Sequence, residues 1–240
     1  LVADVKLGEP FGMESVAFAN MDLDLAIKRV LNDIKTDFIF APHLNLIYSR
    51  AGEALKEAVT EDIKAGQFAP GIPISMEVPK SFRIPVESAK RLGPAYSRPG
   101  SILLPKDRIL YQALADQATE VIEKSLDANR SFSHQMAESD GVTMFLPTRK
   151  CWNDLQAKLS EHSSSEKVQY VLKIDVANYF GSINLHTLIN VLNDSGFNKA
   201  YSSRLETILT SFTGERSSRG ILQGIYPSDL FGNFYMAPID

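Results

Sequence analysis

The sequence holds one cysteine, Cys151, in 240 residues. One thiol closes no disulfide within the chain and builds no cysteine cage around a metal. Histidine is scarce as well: His43, His134, His162 and His186 are scattered without the spacing of a zinc site. Redox and zinc chemistry are excluded on this reading. No run approaches the roughly 18 uninterrupted apolar residues of a membrane-spanning helix. The beginning of the chain carries Asp4, Lys6, Glu9, Glu14, Asp22 and Asp24 where a signal peptide would be basic and then apolar. The expectation is a cytoplasmic protein with no membrane partner. An excess of positive charge is lacking too, since 25 Lys and Arg against 29 Asp and Glu leave a net charge of -4. A nucleic-acid partner therefore has to be argued from local charge.

What is present is an ordinary globular composition, 44% apolar and 22% charged, with enough length for one large domain or two small ones. The chain starts at Leu1 instead of Met and stops at Asp240 within an apolar segment, which reads as a piece of a longer protein.

Apolar periodicity predicts a helix over 21–34 (Leu23, Ile27, Val30, Leu31, Ile34) with Asn20 as its cap, and a second over about 50–65 closing near Gly66. Between 66 and 105 seven prolines and four glycines break the pattern into short strands and turns. Asp107 is expected to open a helix running to about 127. The stretch 138–150 is ambiguous, and 160-SEHSSSEK reads as a solvated loop. The run 168-VQYVLKIDV is apolar and rich in β-formers, the pattern of a buried strand. Two helices follow, ended by Gly196 and Gly214, and then the turn-rich 220-GILQGIYPSDLFGNFYM, with Ser228 placed to cap a last helix that Pro238 cuts short. Strands among long helices give an α+β or mixed α/β class.

Two segments carry chemistry. Lys173-Ile174-Asp175-Val176 sets a carboxylate at the end of the expected strand, and the chain leaves through 177-ANYFGSI. A carboxylate so placed can be aimed at a metal ion, although it also suits a turn or a helix cap. In 222-LQGIYPSDLFGN, Gln223 and Gly224 sit on a loop before a helix, where a side-chain amide and a close backbone can meet a flat or phosphate-bearing ligand. Asp175 and Gln223 lie 48 positions apart.

The pair 174-IDVANYF and 222-LQGIYPSDLFGN resembles the palm motifs A and B of reverse transcriptases, the second close to the QG-x-x-x-S-x-x-x-x-N form of bacterial and group II intron enzymes. The string 98-RPGSILLPKDRILYQAL resembles their fingers segment, and 78-VPK their I-P-K turn. The likeness covers about 78–240 with the segments in family order. It implies an α+β right-hand polymerase fold with an N-terminal helical region over 1–75, fingers over 76–165 and the first part of the palm over 166–240.

By the same resemblance, Asp175 is the catalytic carboxylate and binds Mg²⁺ together with the carbonyl of Val176. Phe180 is the ring that excludes a 2′-hydroxyl, Gln223 and Gly224 line the incoming nucleotide, and Lys80 and Arg98 neutralise its triphosphate. Arg83, Arg91 or Lys106 are alternatives for those cations. Between 77 and 108 seven basic residues (Lys80, Arg83, Lys90, Arg91, Arg98, Lys106, Arg108) face three acidic ones, Glu77, Glu87 and Asp107, a local strip suited to phosphate.

The implied activity is RNA-directed DNA synthesis from dNTPs on an RNA template and a DNA or RNA primer, in some members with an associated non-coding RNA. The divergent 227-PSD and the N-terminal residues resemble the bacterial enzymes of phage defence and abortive infection more than intron enzymes. The alternatives are a template-independent or protein-primed polymerase on the same site, or a non-catalytic module that only binds nucleic acid. The chain departs from the family in having no adjacent Asp-Asp pair, so the aromatic-x-Asp-Asp motif that supplies the other metal carboxylates is missing from these 240 residues. Residues 1–240 alone are expected to be inactive.

Overall fold

The structure, a computed structural model, describes residues 18–37, 39–66, 69–79, 97–137, 141–165, 168–214 and 216–239. Eight helices and one two-stranded sheet are seen among them. Helix α1 (Leu23–Asp33) turns Ala26, Ile27 and Val30 inward, as its period predicts. Its cap is Asp22, whose Oδ1 accepts the N–H of Leu25 at 2.8 Å, and not Asn20.

Helix α2 (Pro42–Lys64) starts earlier than the periodicity indicates, and Ala51 (φ -111°, ψ 16°) kinks it. The turns before the kink leave Leu46 and Ile47 exposed, which is why only the part after it reads as amphipathic. In the breaker-rich region β1 (Ile74–Pro79) pairs antiparallel with β2 (Ser97–Ile102), in a register running from Ile74 opposite Ile102 to Pro79 opposite Ser97.

Helix α3 (Pro105–Ser125) is the hub of the molecule. It packs against α1, α2, α7 (Lys199–Phe212) and α8 (Tyr226–Met236), and buries Ile109, Leu110, Tyr111, Leu114, Ala118 and Ile122. The helix is covered on several sides, and the polar residues this buries, Asp107, Arg108 and Gln112, are met by polar partners. The helix begins at Pro105, so Asp107 lies inside the first turn. Its carboxylate accepts the N–H of Gly71 at 2.9 Å and ties the incoming loop to the helix.

Helix α4 (Thr148–Ser163) occupies part of what reads as a solvated loop. Cys151 is its one buried residue, so it lacks the apolar stripe that makes a helix legible. After it come α5 (Tyr179–Ser182), α6 (Leu185–Asp194) and α7. Gly196 (φ +94°) and Gly214 (φ +63°) follow α6 and α7 in left-handed backbone, as expected of helix-ending glycines. Helix α8 stops at Met236, two residues before Pro238.

The expected buried strand at 168–176 is overturned. The segment forms no strand and pairs with no neighbour among the described residues, and Tyr170 (90%), Leu172 (84%) and Ile174 (78%) stand in solvent. An apolar β-rich run specifies extended backbone, whereas its burial depends on strands alongside, and none lies there among the described residues. The observed class is α+β, and no described helix is long and apolar enough to cross a membrane.

Candidate functional site

Asp175 and Val176 lie at the end of the exposed run, and Val176 is 50% accessible. The backbone then turns through Asn178, which takes left-handed φ (49°). A Cβ on Gly181 would meet the Asn178 amide at 2.6 Å, so that exposed side chain folds back over the glycine. The Oγ of Ser182 donates to the carbonyl of Asn178 at 2.8 Å and closes the short α5.

Past this turn the two chemical segments meet. The N–H of Ile221 donates to the carbonyl of Phe180 at 3.0 Å, that of Gly220 to Ile183 at 2.8 Å, and that of Leu185 to Ser218 at 2.9 Å. Gly220 has φ +103°, and a Cβ there would lie 3.6 Å from the carbonyl oxygen of Gly181, so the backbones approach closely. The ring of Phe180 lies over α8 where a Cβ on Gly232 would be 3.1 Å from its Cε1, and the hydroxyl of Tyr179 donates to the carbonyl of Gly232.

Gln223 and Gly224 are half-buried on the loop so anchored, with Gly224 at φ +88°. The far end of that loop is fixed from α1. The N–H of Tyr226, in the first turn of α8, donates to Oδ2 of Asp33 at 3.1 Å. Ser228 is not the cap. It is fully buried within the first turn of α8, and its hydroxyl shares a 3.1 Å hydrogen bond with that of Tyr111. Burial pushes the Tyr111 hydroxyl well above its usual range.

Asp33 belongs to a buried charged network. Arg108 on α3 donates from Nη2 to Asp33 at 3.0 Å and from Nη1 to Asp37 at 3.3 Å, with 3% of its side chain accessible. Burial raises Asp33 above the ordinary carboxylate range, and the Arg108 guanidinium opposes that rise. Burial likewise lifts the nearby Tyr48 hydroxyl to about 12. A second pair repeats the device on the same helix. Arg29 on α1 meets Asp116 on α3 at 2.7 Å and donates from Nε to the carbonyl of Gly141 at 3.1 Å.

Arg108 therefore leaves the basic strip, and Lys106 is engaged by Asp62 of α2. Their sequence signal was misleading, because a base one turn into an amphipathic helix reads the same whether it faces water or a buried acid. Arg98 is half-buried on β2, opposite Val78. Lys80, Arg83, Lys90 and Arg91 lie outside the described residues. The structure thus brings Phe180 together with the Gln223–Gly224 loop and the helix after it, while Asp175 and Val176 sit on the exposed run leading into that junction.

Asp175 and the carbonyl of Val176 offer the hard oxygen donors that Mg²⁺ takes. Among the described residues no group of three or more His, Cys, Asp or Glu that could hold a metal ion is gathered. No family model matches the chain, and no curated protein matches it either.

Proposed function

We propose that this chain is the fingers and the first part of the palm of a prokaryotic-type reverse transcriptase. The whole enzyme copies RNA into DNA by transferring nucleotides from dNTPs to a primer 3′-hydroxyl, in bacterial antiphage defence. The observation that supports this reading is the junction between the two segments whose pairing carries the resemblance: Phe180 and Ile183 are hydrogen-bonded to Ile221 and Gly220 at 3.0 and 2.8 Å, with the Phe180 ring against the helix that follows. A nucleotide site built from a ring and a glycine-containing loop needs those two elements side by side.

In this reading Asp175 and the carbonyl of Val176 hold Mg²⁺, which when bound stabilises charge on the phosphoryl oxygens. Phe180 fills the space a 2′-hydroxyl would need. Gln223 and the backbone at Gly224 meet the sugar and triphosphate, with Lys80 and Arg98 as the cations opposite. The anchoring of the loop at Ile183 and Asp33 supports a positioning role, since positioning and electrostatics supply most of the barrier reduction in phosphoryl transfer.

The test is primer extension by the complete gene product with an RNA template, Mg²⁺ and dNTPs. Template-dependent synthesis that Asp175→Ala abolishes is expected. Synthesis undiminished when RNA is omitted would move the assignment to an untemplated polymerase. Nucleic-acid binding without any incorporation would move it to a binding module.

A further inference from the structure

Away from that junction a cleft of about 580 Å³ opens between the loop around 131–137, the extended residues 143–147, helix α4 and the start of α8. Rings dominate its walls: Phe132, Phe145, Trp152, Tyr226 and the imidazole of His134. Phe145 packs edge-on against His134 and Tyr226, with centroids 5.1 and 5.4 Å apart. Asp229 is the one carboxylate lining it, and no Lys or Arg does so among the described residues.

The charge around Asp229 is unbalanced. Asp33 and Asp37 both bond to Arg108. For Asp229 the structure leaves the Nε2 of His134 at 3.6 Å, beyond a good hydrogen bond, and burial lowers the pKa of that imidazole, which disfavours its charged form. On α4 the titratable group lining the cleft is Cys151, which brings no positive charge. A carboxylate in a ring-walled cleft with no cation of its own attracts one from outside. Of the two common organic cations, the ammonium is compact and strongly hydrated, whereas the guanidinium is planar, weakly hydrated, stacks on rings and donates two parallel hydrogen bonds to a carboxylate.

We propose that this cleft binds a guanidinium group, held by the Asp229 carboxylate and sandwiched by the surrounding rings. The group arrives either on a free guanidino compound or on an arginine side chain of another protein. The cleft shares Tyr226 and Asp229 with the 222–233 segment, but the proposal stands without the polymerase reading.

Calorimetric titration of the 240-residue chain tests it with agmatine, a blocked arginine-containing tripeptide, n-butylamine and guanosine, at pH 6 and pH 8. Saturable binding of agmatine or the tripeptide is expected, with butylamine at least tenfold weaker. Whichever of the two guanidinium ligands binds more tightly names the source. Asp229 is pushed up to about 7 by burial and by Asp33 and Asp37, so binding should be about tenfold tighter at pH 8 than at pH 6. Asp229→Asn should remove at least tenfold of the affinity. Trp152→Ala, at an exposed position that the fold does not need, should weaken binding severalfold without changing the pH dependence. Guanidinium binding that Asp229→Asn leaves intact, butylamine or guanosine binding as tightly, or no binding of either guanidinium ligand would each overturn the proposal.

Discussion

Asp229 sits in the first turn of α8, where the helix dipole favours its charge, yet burial and the nearby Asp33 and Asp37 lift it from 3.8 to about 7. The folded state thus binds this proton more tightly than the unfolded chain. Its stabilising contribution is complete below pH 3.8 and drains away as the pH climbs through about 7. Asp229→Asn cannot ionise and should flatten that slope, gaining stability at pH 8 relative to pH 5, with an upper bound of about 4 kcal/mol over the full window. Urea unfolding of both proteins at the two pH values measures it, and parallel pH profiles would refute the cause assigned. Phe180 yields a second expectation at this scale. Its ring covers Gly232, so Phe180→Ala opens space beside the Gln223 loop. In the complete enzyme that variant should admit ribonucleotides during primer extension, and unchanged sugar discrimination would remove Phe180 from the nucleotide site.

Helices α1, α3 and α8 share one apolar core, and polar ties cross it. Asp33 ends α1, takes Arg108 from α3 and caps the backbone N–H of Tyr226 at the head of α8. Arg108→Met would leave Asp33 and Asp37 buried without their guanidinium, at a cost of about 3–5 kcal/mol. Asp33→Asn keeps an oxygen for the Tyr226 N–H and should cost less. Thermal or denaturant unfolding orders the two, and equal losses would mean that the Asp33–Arg108 pair carries the whole effect and Asp37 adds nothing. These ties also mark where sequence reading stops. Helices α1, α3, α6 and α7 are legible because their apolar residues recur with the helical period. The ends of α6 and α7 are legible because Gly196 and Gly214 tolerate positive φ. Helix α4 is hidden by its polarity. In the candidate site, the Phe180 carbonyl is bonded to Ile221, two positions before Gln223. The contribution of Asp33 leaves no local pattern, because its partners lie 75 and 193 positions away.

Over the whole molecule the segment 168–176 stands apart from the other strongly apolar runs, most of which are packed into one core around α3. Residues Tyr170, Val171, Leu172 and Ile174 alternate little, carry only Lys173 among them and expose both faces and the backbone edge. An unpaired apolar edge of that kind recruits other strands, and with a net charge of -4 spread over 240 residues the chain has modest repulsion to oppose it. The purified 240-residue chain should therefore bind a hydrophobic dye and self-associate as its concentration rises. Leu172→Lys with Ile174→Lys should suppress both. Because those side chains are 84% and 78% accessible, the double variant gives up almost no burial, and its melting temperature should stay within about 2 °C of the parent. Sedimentation velocity and a melting curve on the same samples decide the matter. If association persists in the charged variant, another surface drives it; if the variant melts well below the parent, the run is buried in solution and the strand is paired after all.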